Sequence, residues 1–215
     1  MMKLISTQYE TSVSLGKVSK KMSPGPRDER GVLQARILAA ARAQFAQNGL
    51  AGTTIRAVAR AAEVDGALVY HYFGSKQGLL DAATTPPRRW LDSVAHTWQT
   101  PPAELGAALL RLMLDAWADE EIGPVLRTVV LTAAHDESTR QKLRRIVENS
   151  LIGGAQLGCD EPERLRRSGL VAAQIIGLAL TRFVWHVEPL ASMSDDELVA
   201  AVAPNLQRYI DGDLG

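Results

Sequence analysis

The chain has little of what builds covalent or metal scaffolds. Among 215 residues there is one cysteine, Cys159, which excludes an intramolecular disulfide and any zinc site made of several thiolates. An unpaired thiol suits a reducing compartment. The four histidines, at 71, 96, 135 and 186, are scattered and form no His-Glu-x-x-His or His-x-His pattern. Gly153-Gly154 lacks the spacing and the preceding strand of a phosphate loop. No catalytic residue, metal or cofactor is therefore expected, and an enzyme is the least favoured class. The longest apolar run, from Gly169 to Leu180, is interrupted by Gln174 and followed by Arg182. Twelve residues are too few to cross a bilayer. Residues 1–30 carry Lys17, Lys20, Lys21, Arg27 and Arg30 and no apolar segment, unlike a signal peptide. A cytoplasmic chain without a membrane partner is expected.

Net charge is also lacking, but its distribution is uneven. Residues 1–82 hold 11 Lys/Arg against 6 Asp/Glu, whereas residues 83–215 hold 13 against 18. A basic third beside an acidic remainder suits a nucleic-acid module joined to a unit with another task. The period-2 alternation of strands is missing too. Apolar residues recur at helical spacing instead, so the fold class is all-α.

Three segments follow. Residues 1–30 are polar, contain Ser-Pro-Gly-Pro, and read as a flexible basic arm. Residues 31–82 open with a helix from Gly31 to Asn48 with Leu33, Ile37, Ala41 and Phe45 on one stripe, stopped by Gly49. Thr53 or Thr54 can cap a second helix whose inward residues are Ile55, Val58 and Ala59. Glu63-Val64-Asp65 forms a turn, and Asp65 caps a third helix with Val69, Tyr70 and Phe73 facing inward. Gly74-Ser75 ends it and caps a fourth. Two helices joined so tightly cross steeply, and the second can project into a DNA major groove.

Residues 83–215 read as further helices. Thr84-Thr85-Pro86-Pro87 interrupts the fourth helix or ends it. A helix resumes through Arg88 to Trp98, and the next presents Leu109, Leu110, Met113, Leu114 and Trp117 on one face. Gly123-Pro124 starts a helix to about His135, and Asp136 or Ser138 starts another reaching Gly153-Gly154. Glu161 to Val187 is a long helix, apolar nearly all round in its middle, which requires cover on several sides. Ser194-Asp195-Asp196-Glu197 is a capping box. It opens a last helix in which Pro204 implies a kink.

Residues 31–82 resemble the DNA-binding domain of TetR-type transcriptional regulators. The matching features are a helix ending in Phe45-Ala46-x-x-Gly49, then Thr53-Thr54-Ile55-Arg56, Val58-Ala59, Val64, the Tyr70-His71-Tyr72-Phe73 cluster and Ser75-Lys76. The resemblance implies a homodimer joined through about 161–187 and 194–210. It also implies a small-molecule effector pocket within residues 83–215, and a repressor released from its double-stranded operator by ligand. The alternative is a helical interaction protein that keeps the fold without binding DNA. Three departures stand out: Glu63 where the turn often has glycine, Gly66-Ala67-Leu68 where a polar or hydroxyl residue is frequent, and Pro86-Pro87 where the fourth helix is usually continuous.

The DNA contacts are assigned residue by residue. Thr54 offers a hydroxyl and a helix N-terminus to a phosphate. Arg56 can fork onto guanine or meet a phosphate. Lys76 supplies a phosphate charge contact. Tyr70 is expected to pack its ring inward with its hydroxyl on a phosphate, and Tyr72 to be the more exposed of the two. Gly66, Ala67 and Leu68 carry no hydrogen-bonding side chain and can only approach closely or touch a thymine methyl. For the effector pocket the candidates are Trp98, Met113, Trp117, His135, Gln174, Arg182 and Trp185, with Trp90, Phe183 and His186 as further lining residues.

Overall fold

A computed structural model describes residues 26–147 and 159–214. All regular elements there are helical: α1 Pro26–Gly52, α2 Ile55–Ala61, α3 Gly66–Phe73, α4 Lys76–Ala83, α5 Arg88–Thr97, α6 Leu105–Ala118, α7 Ile122–Ala133, α8 Glu137–Ile146, α9 Glu161–Ala179 and α10 Asp195–Asp211. Helix α1 begins at Pro26, five residues ahead of the expected Gly31. Arg27 and Arg30, read as part of the arm, therefore belong to α1; Lys17, Lys20 and Lys21 lie outside the described residues. At the other end Gly49 adopts φ 64° and ψ −178°, and the chain turns where the Asn-Gly pair predicts.

Two apolar cores form. The first gathers Ile37, Ala41 and Phe45 of α1, Ile55 and Val58 of α2, Val69 of α3, and Leu79 and Leu80 of α4. The second gathers Leu109, Leu110, Met113 and Leu114 of α6, Val171 and Ile175 of α9, and Leu198 and Leu206 of α10. Helix α1 links them, because it packs on α7 as well as on α2 and α4. At this junction Arg42 Nε donates to the Ala83 carbonyl at 3.1 Å, and Thr128 Oγ1 donates to the Arg42 carbonyl at 3.5 Å.

The capping reading of the sequence describes real bonds. Thr54, Asp65, Ser75 and Asp136 each accept a backbone N–H at the start of α2, α3, α4 and α8, and Asp160, which the sequence reading does not single out, does so for α9. Ser194 and Glu197 form the reciprocal capping box of α10. Glu63 sits at φ 53°, a left-handed backbone that costs a side-chain-bearing residue about 1 kcal/mol or more. The chain breaks between α4 and α5 at Thr84–Pro87, and Pro87 stands at the head of α5. Helix α10 runs on through Pro204 as one element. The far end of α8 lies outside the described residues.

Helix α9 continues as a wider π turn over Leu180–Val184, with Trp185 N bonded to Leu180 O at 2.9 Å. By length and composition alone Glu161–Val184 is apolar enough to cross a membrane, longer than the twelve-residue apolar run predicts. Its inner face, Val171, Ala172, Ile175, Leu178 and Ala179, is buried, as required of a core helix. Two arginines fasten its ends. Arg167 donates to the carbonyls of Tyr209, Ile210 and Gly212 at 3.1–3.2 Å and so satisfies the end of α10. Arg182 donates to the Leu190 and Met193 carbonyls at 2.6 and 2.7 Å and to Asp195 at 2.9 Å. Helices α6 and α10 meet without space: a Cβ at Gly106 would lie 2.7 Å from Gln207 N and 2.8 Å from Ala203 O.

Candidate nucleic-acid interface and ligand cavity

Along α2 and α3, Thr54, Arg56, Arg60, Ala67, Tyr70 and His71 are each exposed. Thr54 Oγ1 accepts from Ala57 N at 3.1 Å, which leaves its hydroxyl proton available. Arg56 and Arg60 stand one turn apart on the outward side of α2, and Arg60 was not anticipated; its signal was the i, i+4 spacing from Arg56. At the tip of α3, Asp65 Oδ1 accepts from Ala67 N at 2.7 Å. Gly66 and Leu68 are partly covered there and Ala67 is exposed.

The two tyrosines exchange their expected places. Tyr70 is 55% exposed, whereas Tyr72 is partly buried and packs against the first core. Helical geometry explains the swap: the inward stripe is Val69, Tyr72 and Phe73, at i, i+3 and i+4, and Tyr70 lies about 100° from Val69. Lys76 also does more than expected. Its ammonium donates to the carbonyls of Leu50 and Thr53 at 2.8 and 3.1 Å. It thereby fastens the α1–α2 connection that carries Thr54 and keeps one N–H in reserve.

A cavity of about 230 Å³ lies within the second half of the chain. Helix α5 covers it with Trp90, Leu91 and Val94. Its walls come from α6 (Leu109, Met113, Trp117), α7 (Val129, Val130), α8 with its extension (Leu143, Val147) and α9 (Ile175, Ile176). Pro86, in the break after α4, completes the lining. Trp117 stacks on Phe183, ring centroids 5.7 Å apart. Helix α5 has no fully buried residue and is held by Arg89. That guanidinium pairs with Asp119 at 2.7 and 3.0 Å and with Glu121 at 2.9 and 3.1 Å. The Arg89 hydrogen bonds, followed by the backbone N–H groups of Ile122 and Glu121, hold the Asp119 carboxyl well below the usual carboxylate range.

Comparison with known proteins settles the kind of molecule this is. Residues 37–83 match the family described as bacterial regulatory proteins, tetR family, and residues 103–210 match the tetracyclin repressor-like C-terminal domain. The chain belongs to the TetR family. It is thus a DNA-binding transcriptional regulator, a class whose members are generally not enzymes. It is 30% identical over 188 residues to the HTH-type transcriptional regulator BetI of Burkholderia thailandensis, covering 81% of this chain and 96% of that one. It is 36% identical over 107 residues to BetI of Paraburkholderia xenovorans, spanning about half of that relative, 52%. A TetR-family regulator of Streptomyces coelicolor A3 superposes with TM-score 0.59 at 28% identity, over 87% of this chain and 99% of the other. The fold is also that of NalD of Pseudomonas aeruginosa, the secondary repressor of a multidrug efflux pump, with TM-score 0.56 at 19% identity over 85% and 98% of the two chains.

Within this TetR chain, the predicted effector residues are only partly brought together. Met113 and Trp117 line the cavity, as does Trp90. The others do not. Trp98 packs on the edge of the second core. His135 is exposed just past the end of α7. Gln174 lies on the outward side of α9, in a groove with Leu170, Gly177 and Tyr209. Arg182 is consumed by the loop carbonyls before α10. Trp185 is 61% exposed. His186 follows it in a left-handed backbone with φ 50°. Residues that sequence reasoning passed over, notably Pro86, Val94, Leu143 and Val147, take their places. The one available signal was the i, i+4 pairing of Leu143 and Val147 on an otherwise charged helix.

Proposed function

We propose that the chain acts in the cytoplasm as a homodimeric repressor. It holds a short, two-fold symmetric duplex through residues 31–82 and releases it when a small molecule enters residues 83–215. The observation that carries this reading is the shared exposure of Thr54, Arg56, Tyr70 and the bare α3 tip. Thr54 and Tyr70 offer hydroxyls to phosphates, and Arg56 reaches a base edge or phosphate. Lys76 offers its remaining N–H to the backbone while steadying the loop that carries Thr54. Gly66, Ala67 and Leu68 approach the groove floor and meet thymine methyls, so much of the selectivity falls to Arg56 and to duplex shape. Tyr72 acts from within, by supporting α3.

The dimer contact is assigned to α9 and α10, over about 161–187 and 194–210. The outward groove of Leu170, Gln174, Leu178, Val202 and Tyr209 supports it. So do the open positions at Gly169 and Gly177, where an added methyl would meet no atom within 4 Å. Two recognition helices would then stand about one DNA turn, ~34 Å, apart.

The test is operator selection from random duplexes with the full chain, followed by anisotropy titrations at several salt concentrations. A palindromic site with a steep salt slope is expected. Arg56→Ala should weaken binding at least tenfold and blur the selected sequence. If Arg56→Ala and Tyr70→Phe both left affinity unchanged, the interface assignment would be wrong. A selection returning no enriched sequence would favour the helical interaction protein that the bare Gly66-Ala67-Leu68 tip also fits.

A further inference from the structure

The cavity under α5 has a chemistry that narrows its occupant, an inference that rests on the reading of this site as the effector pocket. Among the described residues, all lining side chains are those of Pro, Trp, Leu, Val, Met, Ile or Ala. None is charged. Their only strong hydrogen-bonding groups are the indole N–H donors of Trp90 and Trp117, with no side-chain oxygen to receive a donor. We propose that the cavity takes an uncharged, largely apolar molecule the size of a fused two-ring aromatic, decorated at most with hydrogen-bond acceptors.

Size follows from volume. An apolar cavity of about 150 Å³ holds benzene. The 230 Å³ found here accommodates roughly half as much again. Charge follows from desolvation. An ion brought into such a lining loses its hydration and gains no counter-charge, a loss far larger than an aromatic face returns. Arg140 and Arg144 line an open groove that shares Leu143, Val147 and Ile176 with the cavity, and neither lines the cavity itself. Arg140 is already held by Glu137 and by the Ala133 and Ala134 carbonyls. A cation would meet repulsion from that side, and an anion within the cavity would meet no donor side chain but indole. Leu91 of α5, which lines the cavity, remains 49% exposed.

Naphthalene, 2-naphthoate and 2-naphthyltrimethylammonium distinguish the possibilities on the full chain without DNA. Trp90 and Trp117 line the cavity, so tryptophan emission reads occupancy directly, whatever becomes of operator binding. Naphthalene should change the emission saturably, with each charged analogue binding at least tenfold more weakly. Val94→Trp, which fills the space from partly exposed α5, should weaken naphthalene binding at least tenfold while the melting temperature stays within a few degrees. Val94→Ala should retain binding. The proposal is overturned if either ion binds as tightly as naphthalene, if naphthalene does not bind, or if Val94→Trp leaves its affinity unchanged. Operator binding by the ligand-free chain is measured separately, so failure of the DNA reading and failure of the ligand class remain distinct.

Discussion

Lys142 Nζ lies 2.6 Å from the Asp81 carboxylate and 3.1 Å from Thr84 Oγ1. This contact joins α8, which walls the cavity with Leu143, to α4, which supports the helix-turn-helix. A second tie, Gln77 Nε2 to Ser138 Oγ at 3.1 Å, runs parallel to it. The covalent route from α4 to α5 is broken at Thr84–Pro87, so α8 offers a second path to the first core beside the packing of α7 on α1. Lys142→Met is expected to leave the chain folded and to weaken operator binding about three- to tenfold. Asp81→Asn should do the same. The double variant should be no worse than either single one, since the two residues share one interaction; additive losses in an anisotropy titration would sink the idea.

Glu63 supplies a second prediction. Its left-handed backbone has the Arg36 guanidinium on its own carbonyl at 3.3 Å, a bond that survives any side-chain change. Glu63→Gly removes the steric cost of that conformation and should raise stability by about 1 kcal/mol. Glu63→Val should lower it. Thermal melts of the two variants check the sign.

The exchange of Tyr70 and Tyr72 separates DNA contact from packing. Tyr70→Ala should weaken operator binding by about 1 kcal/mol and leave the melting temperature nearly unchanged. Tyr72→Ala should do the reverse in emphasis, costing about 2 kcal/mol of stability by opening the first core. The paired measurement is denaturation beside titration with one duplex.

Acid should loosen the tie that holds α5. Asp119 is held below its ordinary pKa, first by Arg89 and then by the N–H groups of Ile122 and Glu121. The unfolded chain therefore takes up this proton more readily than the folded one. The stabilisation is present above the unfolded carboxylate value of about 4 and is lost as pH falls below it. Asp119→Asn should lower the melting temperature at neutral pH and close on the parent progressively as pH falls below about 4, with a flatter profile over that range. Parallel profiles would contradict the assignment.

What the sequence reveals here is what neighbours in sequence decide. The caps at Thr54, Asp65, Ser75 and Ser194, the stop at Gly49 and the strained turn at Glu63 are local, and their residue types announce them. The stripe of α3 was displaced by one residue, because Tyr70 and Tyr72 are both amphipathic and only packing against Val69 and Phe73 chooses between them. The cavity was the least legible part. Its walls come from five helices whose spacing no single segment encodes. Polar residues within apolar helices were misleading guides to it, because they point to places outside the cavity. Arg182 answers carbonyls at Leu190 and Met193, and Gln174 faces away from the core.

The close seam at Gly106 sets which parts of the molecule can be moved. The Gln207 and Ala203 backbone fills the room a methyl would need, so α6 and α10 are in backbone contact at this point. Arg167 and Arg182 pin α9 to the two ends of α10. These three helices make a stationary frame, and the frame includes the surface assigned to the second subunit. In the proposed repressor, a guest in the cavity would press against this frame. The motion is left to the opposite walls, α5, α7 and α8, of which α7 bears on α1 and α8 bears on α4. In the proposed dimer, this asymmetry of the walls would direct the response away from the α9–α10 contact and toward helices α1–α4.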